Sequence, residues 1–310
     1  MKSPRKNIEP DLQVRKLFNT PLHDISICVG PGGMYYLTGT IKPFGKYNKG
    51  IRLWASGDLK KWTSMGMIWR YGSSTWHKKY IETKMPLWAP EIHYLKDTFW
   101  LTYSMPGWDG ARNSGCGLLR STTGKPEGPY EDVQPGERLG DEIDASLFQD
   151  DDGTVYFLWH SGKIAPLKPD MSGLASSHQW LRTAVSDENP AHHTGLCAKI
   201  FGERSFDHVG YEGMFLFKVN GIYYLSCAEQ FDGRYSCAIA TSENLFGPYS
   251  ERYEAIPHAG HNMFFHDMSG QWWSTYFGSD ATAPWREKPG IIPVEFGTDG
   301  KIQIKNQQGA

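Results

Sequence analysis

The chain repeats one short block five times. In each block an aromatic-rich strand follows a tight turn, and a particular residue stands twelve positions ahead of a strand aromatic. Asp24 precedes Tyr36, Trp88 precedes Trp100, Asp144 precedes Tyr156, Glu212 precedes Tyr224 and His261 precedes Trp273. The turns include Pro31-Gly32-Gly33, Asp151-Asp152-Gly153, Asn220-Gly221 and Ser269-Gly270. Asn-Gly and Asp-Gly are strong hairpin signals because both residues must tolerate positive φ. A third segment in each block carries a strand, a polar turn and often a further aromatic, as in LWASGDLKKW at 53–62 and AIATSENLFGPY at 238–249. The strand aromatics are 64, 56, 68 and 49 residues apart, and no helical periodicity runs between them. Repeats of this length and content predict propeller blades. The expected fold is all-β: a single-domain, five-bladed β-propeller over residues 21–310, preceded by a lead-in arm over 1–20. A β-sandwich is the competing arrangement, and it leaves the constant offset unexplained.

A constant offset gives each lead residue the same place in its repeat, and a circular array aims all five at one central cavity. Four of the five can ionise or bind a cation, and three are carboxylates. An Asp or Glu that opens an apolar strand is costly to bury unless it is paired or functional. Glu212, between Tyr211 and Gly213, and Asp144, ahead of Leu147 and Phe148, both fit that description.

Composition narrows the partners. With a net charge of -2 there is no basic field to draw nucleic acid or an anionic membrane. No apolar run reaches the roughly 18 residues of a membrane span. Aromatics make up 14% of the chain, including 12 Trp, which suits sugar stacking as well as core. The five cysteines show no CxxC spacing and signal neither a disulfide framework nor a zinc site. Cys227 and Cys237 flank Asp232-Gly233 and are placed to face each other across a hairpin. The start MKSPRKNIEP lacks an apolar h-region. The sequence as it stands therefore reads as cytoplasmic, whereas a chain with its leader trimmed would read the same and be periplasmic or secreted. A monomer is expected.

The blocks HDISICVGPGGMYYLTGT, WAPEIHYLKDTFWLTYS, IDASLFQDDDGTVYFLW, YEGMFLFKVNGIYYLS and GHNMFFHDMSGQWW resemble, in order, those of glycoside hydrolase family 43. The resemblance runs over about residues 20–300. It implies a five-bladed propeller that hydrolyses arabinofuranosides or xylosides. By position it makes Asp24 the general base, Glu212 the general acid and Asp144 the residue that orients the acid and tunes its pKa. It places His261 near the axis, beside a Ca2+ or Na+ in many members, with no cofactor required for the chemistry. The family usually has Pro after the middle Asp, where this chain has Ala145. It often has Pro two residues after the acid, where this chain has Met214. Both departures bear on the neighbouring subsites.

The chemistry suits these residue types. Glycosidic hydrolysis passes through an oxocarbenium-like state, with one carboxyl protonating the leaving oxygen while a carboxylate activates water. Inversion needs roughly 6.5–9.5 Å between them. The expected substrate is an oligosaccharide or polysaccharide ending in α-L-arabinofuranose or β-D-xylose, with a galactose-type sugar third. Because no β-sandwich follows the propeller in this sequence, arabinofuranose is slightly favoured. His23, Trp88, Glu91 and His93 adjoin the motifs and are expected to bind substrate. Glu91, three residues past a lead position, suits a hydrogen bond between blades or to substrate better than catalysis. Asp150-Asp151-Asp152-Gly153 lacks the ligand spacing of a calcium loop and reads as a turn. Segment 173–208, with His192 and His193, reads as an insertion between blades. Two other readings stand beside this one. The first is a retaining furanosidase with Asp24 as nucleophile, although the Asn-Asp-Pro-Asn-like motif usual there is His23-Asp24-Ile25 here. The second is a non-catalytic sugar-binding propeller, which would be expected to have lost a carboxylate.

Overall fold

The computed structural model describes residues 12–44, 46–72, 74–107, 113–184 and 207–305. Five antiparallel sheets follow one another along the chain, and the fold is a five-bladed β-propeller. Blade 1 runs Leu22–Val29, Tyr35–Ile41, Gly50–Ser56, Thr63–Arg70. Blade 2 runs Trp88–Leu95, Thr98–Met105, Gly115–Ser121, with Tyr130–Asp132 and Gly140–Asp141 on its outer edge. Blade 3 runs Ser146–Gln149, Val155–Trp159, Lys163–Pro166, Gln179–Trp180. Blade 4 runs Glu212–Val219, Ile222–Phe231, Arg234–Ser242, Tyr253–Ile256. Blade 5 runs Phe264–His266, Trp272–Phe277, Pro289–Phe296. Its outer edge is shared by Arg15–Lys16 from the start of the chain and Ile302–Ile304 from its end. Thus part of the lead-in arm closes the ring.

The strands are apolar on both faces because each blade is covered on both sides. Five hydrophobic clusters result, one at every blade interface. Leu37 and Phe277 belong to the cluster between blades 1 and 5, and Ile92 and Trp69 to that between 1 and 2. Phe157 and Leu118 pack between 2 and 3, Leu216 and Phe148 between 3 and 4, Phe217 and Ile292 between 4 and 5.

Two expectations change. Cys227 and Cys237 are both free. Ala228, not Cys227, pairs with Cys237, so the thiols lie on opposite faces of blade 4, in different clusters. The supposed insertion 173–208 contains the outer strand of blade 3; the rest, with His192 and His193, falls largely outside the described residues. Among the described residues no helix is long and apolar enough to cross a membrane.

Candidate active site

The constant offset of twelve hides two structural places rather than one. Tyr36 pairs with Cys28, Trp100 with His93, Tyr156 with Phe148, Tyr224 with Phe217 and Trp273 with Phe265. In blades 1, 3 and 5 the hairpin turn has three residues, closed by bonds such as Asp150 N–H to the Thr154 carbonyl. In blades 2 and 4 it has two, with Leu95 opposite Thr98 and Val219 opposite Ile222. Counting back a fixed distance therefore lands one residue early in blades 2 and 4. The true equivalents of Asp24 are Ala89, Asp144, Gly213 and His261. All five have positive φ, at 50, 42, 63, 63 and 56°. Trp88 and Glu212 instead share the place of His23, the last pair before a β-bulge in each strand.

The bulge explains how this place is held. It frees a backbone N–H from its own sheet, and in three blades the preceding blade captures it. Ala89 N–H donates to Thr40 Oγ1 at 2.7 Å, Asp144 N–H to Ser104 Oγ at 2.7 Å, and Gly213 N–H to Asp144 Oδ2 at 3.1 Å. Asp and His are among the non-glycine residues that best tolerate this conformation. Gly213 is required for a second reason: a Cβ there would sit 2.6 Å from His261 Cγ.

Both places open onto one cavity of about 200 Å³, lined by His23, Asp24, Thr40, Phe44, Trp88, Ile143, Asp144, Glu212 and His261. Asp24 accepts a hydrogen bond from Thr40 Oγ1 at 2.7 Å. His261 Nδ1 lies 3.6 Å from Asp24 Oδ1 and 3.9 Å from Asp144 Oδ2. The Asp24 side chain is 19% exposed and that of Asp144 only 6%. Of these two, Asp24 is therefore the carboxylate more open to water. Glu212 Oε1 accepts from the Tyr235 hydroxyl at 2.8 Å.

The charges are interlocked. Burial, and then the negative charge of Asp144, push the Glu212 carboxyl up to about 7, against the pull of His261 and the Tyr235 bond. Burial also raises Asp144, with His261 opposing and Asp24 adding to the rise. Burial alone would lower His261, but Asp144, Asp24, Glu91 and Glu212 outweigh it and raise its pKa. His23 is lowered by burial, and its ring is sandwiched between Phe44 and Phe277 at 3.6 and 4.8 Å.

Of the residues singled out in the sequence, Asp24, Asp144, Glu212, His23, Trp88 and His261 meet at the cavity. Glu91 and His93 do not line it. They are buried and bonded to each other, Nε2 to Oε2 at 2.9 Å. His261 faces two carboxylates. Among the described residues no group of three or more His, Cys, Asp or Glu is arranged to hold a metal ion. Thr40, Phe44, Ile143 and Tyr235 were not singled out. Thr40 had a signal, since Thr40 and Ser104 are the next-to-last residues of equivalent second strands and both hydroxyls capture the next blade's N–H. Phe44, on a loop, had none.

The family model described as glycosyl hydrolases family 43 matches residues 17–302. The chain belongs to glycosyl hydrolases family 43. Within family 43, a β-D-galactofuranosidase of Aspergillus niger is 30% identical over 68% of this chain and 60% of its own length. An extracellular exo-α-(1→5)-L-arabinofuranosidase of Cellvibrio japonicus is 24% identical over 74% of this chain and 67% of that protein. The chain spans about half of a putative β-xylosidase of Escherichia coli, 52%, at 25% identity over 92% of its own residues. A compost-metagenome β-xylosidase/α-arabinofuranosidase, solved with xylotriose in a calcium-free form, superimposes with a TM-score of 0.71 at 18% identity, covering 94% and 97% of the two chains. A Cellvibrio cellulosa α-L-arabinanase solved with arabinohexaose gives 0.70 at 20% identity, covering 93% and 96%. These structures share the family 43 fold.

Proposed function

We propose that the chain is an inverting, exo-acting glycoside hydrolase. It removes terminal α-L-arabinofuranosyl or β-D-xylosyl residues, with galactofuranosyl third, from oligosaccharides or polysaccharides. The observation that carries this reading is the Glu212 carboxyl, pushed up to about 7, sharing a cavity with the partly exposed carboxylate Asp24. A cavity of about 200 Å³ suits a single sugar ring, which favours exo action. The relatives named for galactofuranosidase, arabinofuranosidase and xylosidase activity supply the sugar classes.

In this reading Glu212 gives its proton to the leaving oxygen as the glycosidic bond breaks, and the bonding pair stays on that oxygen. Asp24 takes a proton from the water that attacks the anomeric carbon from the other face. Thr40 fixes one Asp24 oxygen. Asp144 keeps Glu212 protonated through its charge and holds the Gly213 backbone beside it. Between Asp24 and Asp144, His261 balances the two negative charges that the site brings together.

The test combines a panel of aryl arabinofuranosides, xylosides and galactofuranosides with proton NMR of the first product. One of these sugars should be released as the anomer opposite to the substrate. Asp24→Asn should keep the fold by circular dichroism and lose roughly 10²–10⁴ of turnover. Retention of configuration would replace the base with a nucleophile, and normal turnover in a folded Asp24→Asn variant would remove Asp24 from the chemistry.

A further inference from the structure

Four blades place a side chain at the cavity end of their first strand, just before the positive-φ residue: His23, Trp88, Ile143 and Glu212. In blade 5 this place is Gly260. Its missing side chain leaves room that another residue fills. A Cβ on Gly260 would come within 2.5 Å of the Tyr235 ring and 2.6 Å of Ala228 Cβ. Tyr235 comes from the third strand of blade 4, directly after the Asp232-Gly233 turn, opposite Gln230. Its ring also packs on Tyr211 and Phe277, with centroids 6.3 and 6.2 Å away. Three neighbours thus fix the ring, and its hydroxyl donates to Glu212 Oε1 at 2.8 Å.

We propose that Tyr235 is the positioning residue for the acid: by holding Oε1 it leaves Oε2 as the oxygen that carries and delivers the proton. This rests on the reading of Glu212 as the acid. A carboxyl has two oxygens and one transferable proton. If either oxygen could hold it, a share of molecules would present the wrong one to the leaving group. A phenol that donates to Oε1 makes that oxygen the acceptor and sends the proton to Oε2. Burial and the neighbouring Glu212 raise the Tyr235 pKa well above the ordinary phenol value, so the hydroxyl keeps its proton throughout the cycle. The groups facing Glu212 are Asp24 from blade 1, Asp144 from blade 3, Tyr235 from its own blade and His261 ahead of blade 5. Among them Asp144 and Tyr235 act in opposite senses. Asp144 disfavours the Glu212 carboxylate, whereas a donated hydrogen bond favours it.

That opposition gives the test. Tyr235→Phe removes one oxygen and keeps the ring that fills the space at Gly260. The variant should fold, as seen by circular dichroism. Its turnover on substrates with poor leaving groups should fall roughly tenfold, several times more than on a dinitrophenyl glycoside that needs little protonation. The alkaline limb of kcat/KM should move to higher pH. Equal losses on both substrate classes, or a limb that stays put or moves to lower pH, would overturn the proposal. Glu212→Gln is measured in parallel. If it too shows no dependence on leaving group, the acid assignment itself is wrong. If it shows strong dependence while Tyr235→Phe does not, only the role of Tyr235 falls.

Discussion

Replacing Thr40 by valine isolates one hydroxyl that serves two blades. Valine matches threonine in shape, and Thr40 is 2% exposed, so no cavity forms. Two bonds are lost. The donation to Asp24 Oδ2 is a hydrogen bond to a charged group, worth about 1.5–3 kcal/mol. The acceptance from Ala89 N–H is lost as well, and that amide is buried with Ala89 at 1% exposure. An unsatisfied buried donor costs about 1–3 kcal/mol. The two effects share one atom and are not independent, so the expected destabilisation is about 3 kcal/mol. Urea unfolding followed by tryptophan fluorescence measures it as a shift in midpoint at unchanged slope. Thr40→Ser keeps the hydroxyl and loses one methyl group, at about 1 kcal/mol. Turnover should fall with Thr40→Val because Asp24 loses the donor that orients it, and should recover largely in Thr40→Ser. A Thr40→Val protein within about 0.5 kcal/mol of the parent, or one that Thr40→Ser matches, would refute the bridging role.

Three further outcomes follow from the same geometry. In the proposed mechanism Glu212 works only while protonated, so kcat/KM should fall as pH rises through about 7. Asp144→Asn removes a negative neighbour that raises Glu212, so this alkaline limb should move to lower pH; an unmoved limb in a pH–rate series would confine Asp144 to orienting the acid. Gly213→Ala adds a methyl group at φ 63° and 2.6 Å from His261 Cγ. It should lower stability by about 2 kcal/mol or more and reduce turnover, and an unchanged thermal midpoint would show that the backbone there can relax.

The blades were legible because their signal is local. A turn such as Asn220-Gly221 followed by Ile222-Tyr223-Tyr224-Leu225 specifies its hairpin without help from the rest of the chain. The three carboxylates were legible because charged residues opening apolar strands need a reason to be there. Their places were less so. Turn length alternates between three and two residues from blade to blade, and a matching one-residue step in the first strand restores the offset. Trp88 and Glu212 therefore looked equivalent to Asp24 while standing in the place of His23. Glu91 and His93 adjoin a motif, which alone points to substrate; two residues apart on one strand, they share a face and bond to each other. Tyr235 was invisible because its bond crosses from the third strand of a blade to the first, across 23 residues, and its room is made by an absent side chain on another blade.

The closing strand has a consequence for chemistry as well as for shape. Arg15–Lys16 joins blade 5 through two residue pairs, extended by Leu17 N–H to the Pro289 carbonyl, and blade 1 begins a few residues later. Asp24 stands on one side of that seam and His261 on the other, 3.6 Å apart. The charge balance of the cavity therefore spans the one joint in the ring where neighbouring blades are far apart in sequence. A propeller that relaxes at this joint parts Asp24 from its counter-charge while every hairpin remains intact, so the geometry of the cavity is only as durable as its clasp.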